Sequence, residues 1–422
     1  MVLENPSAIM KGESHTVETG SSAHGTATFG DTNLAAAITK KQMAQTVPDT
    51  WYYPPDLTDD LESVGLAAET KAEIFACAWE YTRCVIPQYT NWNRYVAFMR
   101  TIVMGIVAEF RGSLVDVTAG DDILGYDLSA TLAALFEGMK AHADMAREYR
   151  TFLLITADKS SERRQGELFR RYVNTLPQSP WHWFRMRDCD SLARFTIAAA
   201  LACNDLDDIW FTEVQLSILA ETSITLYDAV AFYKHRSEGE TNSTFAYMPE
   251  NLRVKAFRMH REILWALDVA WGRRPELLVV ANFMRFFGGP IHMMMRRYRF
   301  VEEGLSIGKP ETEDIVNLTR QNFKLWNRLD AKQRNVQDTT SIQRYRDIIA
   351  QSNKLMFAGL AEFLEKGGDG HCDQCRYRDS YGAEESQKFG GVDLCCECRG
   401  QWQEYLDCFP ARVKEAFPEL IF

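Results

Sequence analysis

Nowhere does the 422-residue chain carry the run of about 18 apolar residues that a membrane-spanning helix needs. The longest candidate, Thr101 to Ala108, is too short. An apolar signal region is missing as well, because the N-terminus is polar, with Ser, Gly and Thr around Gly20 to Thr32. There is no surplus of positive charge. The formal net charge is −11, which makes nucleic acid or an anionic membrane surface a poor partner. β-Branched alternation is scarce and no internal repeat is found, which argues against a sheet protein or a solenoid. What is present is apolar mass: 46% hydrophobic residues, with 10 Trp, 16 Tyr and 24 Phe, ample for a large buried core. Ten cysteines would fit disulfides in a secreted protein. Here Cys77, Cys84 and Cys203 sit inside helical patterns, which fits reduced core thiols and a cytoplasmic enzyme.

Along the chain, residues 1–47 are small, polar and mixed, and are expected to be loosely ordered, with one short helical stretch near Asn33 to Gln45. Residues 48–366 form the main domain. Trp51-Tyr-Tyr-Pro-Pro55 reads as an extended entry, and from Ala67 onward apolar residues recur at three- and four-residue spacing. Breaks fall at Pro87, Val117 to Tyr126, Pro177 to Pro180, Ser237 to Pro249, Arg274-Pro275 and Gly288-Gly-Pro290. The pattern predicts an all-α bundle of roughly ten helices. Residues 367–422 change to Cys, Gly and charge and form a small appendage.

The appendage holds Cys372-x-x-Cys375 and Cys395-x-x-Cys398, a spacing at which four thiolates can surround one tetrahedral Zn²⁺. His371 and Cys396 are spare ligands. A site saturated by protein ligands is structural, and a knuckle of this kind can also bind a partner. The alternative is four unrelated reduced cysteines.

Several carboxylates fall in apolar helices. Glu73, Cys77, Glu80 and Cys84 share one helical stripe, either as ordinary boundary acids or as functional ones. Glu109 ends a segment that is apolar nearly all round, so it is expected to be buried. It would then pair with Arg100 or Arg111, or bind Mg²⁺. Asn204-Asp-Leu-Asp-Asp208 suits a hard cation or, as the commoner outcome, the cap of the next helix. Cationic runs stand opposite these acids: Arg185, Arg187 and Arg194 beside Trp181 and Trp183, then Lys234-His-Arg236, then His292-Met-Met-Met-Arg-Arg-Tyr-Arg299. Singly each is a solvated face. Together, around an aromatic and Met-rich interior, they suit a Mg²⁺-bridged diphosphate and a carbocation pocket.

Four strings carry a resemblance: Phe75-Ala-Cys-Ala-Trp-Glu-Tyr-Thr-Arg-Cys84, Asn91-Trp-Asn-Arg-Tyr-Val-Ala-Phe-Met-Arg100, Cys203-Asn-Asp-Leu-Asp-Asp-Ile-Trp-Phe-Thr-Glu213 and Ile291-His-Met-Met-Met-Arg-Arg-Tyr-Arg-Phe-Val-Glu-Glu303. They closely resemble the fungal α-ionylideneethane synthases, sesquiterpene synthases of abscisic acid biosynthesis, from about Trp51 to the cysteine tail. The resemblance implies farnesyl diphosphate as substrate, a divalent metal, and a cyclised triene product formed through a neutral polyene that is protonated again. The family lacks the aspartate-rich DDxxD signature, and so does this chain. A fainter similarity to type I terpene synthases implies a bundle of that kind. Tyr227-Asp-Ala-Val-Ala231 falls in register with an Asn-Asp-x-x-Ser metal stretch, with Asp228 matched and Tyr227 and Ala231 departing. Arg187 corresponds to a diphosphate-sensing Arg, and Arg297-Tyr298 to a downstream Arg-Tyr pair.

These resemblances imply Arg187, Lys234, Arg296 and Arg297 for diphosphate, and Glu73, Glu109 and Asp228 for Mg²⁺. His292, Tyr298, Glu73, Glu80, Glu109 and Asp228 are the candidate catalytic groups. The alternatives are a paralogue with another sesquiterpene product, an all-α haem enzyme with His292 as axial ligand, and a non-enzymatic scaffold with a zinc tail.

Overall fold

The computed structural model describes residues 51–237, 243–291, 339–367, 372, 374–377 and 392–421. Residues 51–422 cluster as one compact unit. It is all-α, as the helical spacing predicts. The entry segment drops Leu57 and Leu61 into the core, and Asp60 pairs with Arg100 at 2.9 Å. Helix α1 (Ala68–Val85) stops just before Pro87, and α2 (Trp92–Phe110) begins after Asn91, whose side chain accepts from the Arg94 amide at 3.1 Å. The two helices pack on each other, and every residue of α2 from Thr101 to Ala108 is buried.

A two-stranded hairpin, β1 (Asp122–Ile123) with β2 (Tyr126–Asp127), turns through Leu124 and Gly125, both at positive φ. That tight turn puts its glycine where left-handed backbone is free of a Cβ penalty. Asp127 then caps α3 (Leu128–Phe136). Next come α4 (His142–Lys159), α5 (Glu167–Thr175) and α6 (Pro180–Ser191), the last opened by Pro180 and capped by Ser179. Leu192, at φ 56°, breaks α6 from α7 (Ala193–Ala202), a wholly buried helix.

Thr212 and Gln215 exchange side-chain to backbone hydrogen bonds of 2.9 and 3.3 Å, a capping box that starts α8 (Glu213–Ser237). After α8 come α9 (Thr244–Tyr247), α10 (Glu250–Trp271) and α11 (Pro275–Phe287). Later in the chain lie α12 (Thr339–Ala350), α13 (Ser352–Leu355) and α14 (Leu360–Gly367). A second hairpin pairs β3 (Arg376–Tyr377) with β4 (Val392–Asp393), followed by α15 (Cys396–Asp407) and α16 (Phe409–Ala416).

The cap expected from the Asn204–Asp208 run is built otherwise. Asp207 pairs with Arg94 through 2.6 and 3.0 Å bonds, and Asp205 accepts from Thr90 and Asn91 at 2.9 Å each. The aspartates latch the α7–α8 loop to the α1–α2 loop, and Thr212 supplies the helix start. The cysteine tail is joined to the bundle through a shared core. Trp402, Leu406, Phe409 and Val413 are buried, and α15 and α16 pack on α6 and α8. Among the described residues, no helix is long and apolar enough to cross a membrane.

Candidate functional site

A linked set of buried charges joins α4, α6, α8 and α9. Arg187, on α6, is 5% exposed, and its guanidinium bonds Asp190 at 2.6 Å and Asp228, on α8, at 2.8 Å. Burial works against its charge, and Asp228 and Asp190 outweigh burial and hold it firmly protonated. Asp190 also takes Lys159 Nζ, from the last residue of α4, at 2.8 Å. Asp228 is 0% exposed and accepts from the Thr244 amide at 2.7 Å and the Thr244 hydroxyl at 2.6 Å. That hydroxyl accepts from Trp183 Nε1 at 3.2 Å, and Trp183 stacks on Tyr247. Two cations and two carboxylates thus alternate in a low-dielectric interior, where each depends on its neighbours.

The positions flanking Asp228 are closed to metal chemistry. Tyr227 stacks on Phe287 with centroids 4.7 Å apart, and Ala231 is fully buried. A ring and a methyl stand where the type I pattern has amide and hydroxyl ligands.

The same end of α4 carries a second ion cluster. Asp158 is 1% exposed and takes Arg163 at 2.8 Å and Arg344 through bonds of 2.8 and 2.9 Å. Burial pushes its carboxyl up, and the two arginines offset only part of that. Arg163 also donates to the carbonyls of Gly112 and Val115 just beyond α2. A Cβ at Gly112 would overlap Ser160 Oγ and the Ala157 carbonyl, so glycine allows the ends of α2 and α4 to close up.

Glu109 sits at this junction, half-buried in the last turn of α2. The expected full burial of its helix holds through Ala108 and ends there, because Glu109 is where α2 leaves the core. On α1, Cys77 and Cys84 are buried, Glu80 is half-buried and Glu73 is exposed. The stripe therefore points its thiols inward and its acids to the boundary. Arg100, one expected partner of Glu109, is bound to Asp60.

The structure thus brings Arg187 and Asp228 together and, among the described residues, does not gather Glu73, Glu109 and Asp228 into a metal-ligating set. His292, Arg296, Arg297 and Tyr298 lie outside the described residues, as does the side chain of Lys234. Asp190, Lys159 and Thr244 were not singled out from sequence. Asp190 lies one helical turn after Arg187, the signal that would have found it.

A cleft of about 420 Å³ opens elsewhere, lined by Trp181, Trp210, Phe211, Phe357, Phe363 and three arginines facing three acids. Two of its arginines are paired with acids, while Arg147 donates to the Met356 carbonyl at 2.7 Å. Arg185 pairs with Glu148 and lies over the Phe357 ring, and Arg194 pairs with Asp188 and Glu213.

The four thiols of Cys372, Cys375, Cys395 and Cys398 lie within 4.8 Å of one another and can hold a metal ion. Cys372 and Cys395 sulfurs are 3.8 Å apart. Tetrahedral Zn–S bonds of about 2.3 Å give an edge of about 3.8 Å, so the spacing fits that ion. Backbone amides of Cys395 and Cys398 point at the Cys375 and Cys395 sulfurs. The Cys398 amide leads in pulling the Cys395 thiol down to about 7, while burial raises Cys375 and Cys398. Four thiolates would need a cation between them.

A family model described as alpha-ionylideneethane synthase aba3 matches residues 49–419. The alpha-ionylideneethane synthase aba3 of Botryotinia fuckeliana (strain B05.10) is 71% identical over 385 residues, 91% of this chain and 87% of the relative. The alpha-ionylideneethane synthase abl3 of Leptosphaeria maculans is 63% identical over 92% of this chain and 90% of its own length. That of Pyricularia oryzae is 53% identical over 88% and 83%. Matched over most of its length by both the family and its members, this chain belongs to the α-ionylideneethane synthase family.

Proposed function

We propose that this chain is a sesquiterpene cyclase that converts farnesyl diphosphate to α-ionylideneethane and diphosphate, a step toward abscisic acid. The observation that carries the reading is the buried Lys159–Asp190–Arg187–Asp228 chain, a pair of desolvated cations on adjoining helices that share a carboxylate. The names of the relatives support the product.

Ionisation breaks the farnesyl C–O bond, and the electron pair leaves with diphosphate. Arg187 and Lys159 take up the developing charge in a site already dry and oriented. Mg²⁺, which the family resemblance implies, adds positive charge to the leaving group when bound. Among the described residues no carboxylate set is assembled for it. The allylic cation then loses a proton to give a neutral polyene, and reprotonation starts ring closure. That exchange needs an acid–base group in apolar surroundings. Asp228 is committed to Arg187 and Thr244 and Glu73 is exposed, which leaves the task to Glu80, His292, Tyr298 or the released diphosphate. In the tail, the thiol set is read as a structural Zn²⁺ site.

The test is incubation of the purified protein with farnesyl diphosphate and Mg²⁺, with and without EDTA, followed by mass spectrometry of a hexane extract. A metal-dependent C15 hydrocarbon matching α-ionylideneethane is expected. Absence of any hydrocarbon from folded protein would sink the reading.

A further inference from the structure

The cysteine module and the Arg187 site are neighbours through one short helix. Strand β4, which leads into Cys395, packs against α9. Helix α9 begins with Thr244, whose amide and hydroxyl both hold Asp228. Asp228 in turn holds Arg187. On the other side, α15, which begins at Cys396, lies against α6, with Trp402 and Tyr405 packing on the Phe184 ring at 5.9 and 5.7 Å. Arg187 lies three residues after Phe184 on that helix. The module therefore touches α6, which carries Arg187, and α9, whose Thr244 holds Asp228.

Helix α9 is held by its packing on α8 and β4 and by the bonds of Thr244. The Thr244 hydroxyl is shared between Asp228 and Trp183, and Tyr247 stacks on Trp183 at 4.2 Å. A four-residue helix has almost no stability of its own. Its position is set by what packs on it, and β4 is part of that packing. The β3–β4 hairpin is two residues per strand and is marginal without a tie. Cys375 directly precedes β3, and Cys395 follows β4 by two residues. A metal in the four thiols would be the tie that closes it.

We propose that the metal-loaded cysteine module is a positioning element for the diphosphate site. Metal holds the hairpin, the hairpin holds α9, and Thr244 on α9 holds Asp228 and hence Arg187. The coupling to diphosphate rests on the reading of Arg187 given above, whereas the coupling to α9 stands on packing alone.

Two readouts separate them, both on the full chain. The first is hydrogen exchange at residues 243–248, before and after a zinc-selective chelator, with metal content measured in parallel. Loss of metal should speed exchange there at least tenfold while α2 and α7 stay protected. Unchanged exchange at 243–248 would overturn the proposal, and so would uniform loss of protection across α2 and α7, which would make the metal a general fold requirement. The second readout is the affinity for inorganic pyrophosphate with Mg²⁺ after the protein is passed free of chelator. It should fall about tenfold on zinc loss. Thr244→Val, which leaves all four thiols, should keep its metal and lose the same tenfold, and zinc removal should then add nothing. Wild-type affinity in Thr244→Val would overturn the relay. If Arg187→Gln binds pyrophosphate as wild type does, the diphosphate reading fails, while the exchange result still decides whether the module positions α9.

Discussion

Two aspartate-bearing sites make a contrast. The Asn204–Asp208 run is dense in acid, yet Asp205 is 52% exposed at its side chain and Asp207 35%. Both serve as a latch between loops. Asp228 is a lone aspartate in an apolar helix, fully buried and tied to Arg187, Thr244 and, through Arg187, to Asp190 and Lys159. Exposed pairs contribute about 0–1 kcal/mol and are screened, whereas removing one member of a buried pair costs about 3–5 kcal/mol. Acid density is thus a poor guide to chemistry. Desolvation together with a shared network of partners is a better one.

The contrast can be broken most sharply at Asp228. Asp228→Ala should lose about 3–5 kcal/mol of stability by denaturant unfolding and all C15 product by mass spectrometry. The double change Arg187→Met, Asp228→Leu should regain most of that stability and none of the product. Recovered product would mean that the ion pair is structural only.

A middle case lies under the tail, where buried Glu221 takes Tyr405 at 2.7 Å, Arg412 at 3.1 Å and His260 at 3.2 Å. Arg412→Met should cost about 2–3 kcal/mol, read by denaturant unfolding. Burial pushes the Glu221 carboxyl up, but His260 and Arg412 outweigh it and hold it below its ordinary 4.5. A depressed folded value means the stabilisation is present above that ordinary value and is lost as pH falls through the folded one. Stability measured from about pH 6 to about pH 3 should therefore drop, and Glu221→Gln should flatten part of that slope. At the small end, Asp207→Asn should change stability by under about 1 kcal/mol and leave turnover intact. A loss of product there would erase the distinction between the two aspartate sites.

Much of the helical frame was legible because its signals are local. Pro87, Pro180 and Pro275 mark helix boundaries where expected, and the apolar run before Glu109 is buried through Ala108. The two Cys-x-x-Cys steps were legible for the same reason. Arg187 and Asp228 were each singled out by register, but their pairing was not, because 41 residues separate them. Lys159 to Asp190 spans 31 residues and Asp228 to Thr244 spans 16, across helix ends that only packing aligns. The Asp-rich run misled because capping propensity is local, while Arg94 reached it from 113 residues away.

The tail's docking also bears on when the chain can finish folding. Gln215 bonds the carbonyl of Ala416, His260 stacks on Phe409, and Trp271 meets Phe417. Helices α8 and α10 thus have partners lying some hundred and fifty to two hundred residues further on. During synthesis those helices emerge long before the segment that covers them, and their apolar flanks wait in water or against a chaperone until it arrives. Native closure of this face therefore waits for residues 402–417, and a chain that lacks them would carry an open seam along α6, α8 and α10.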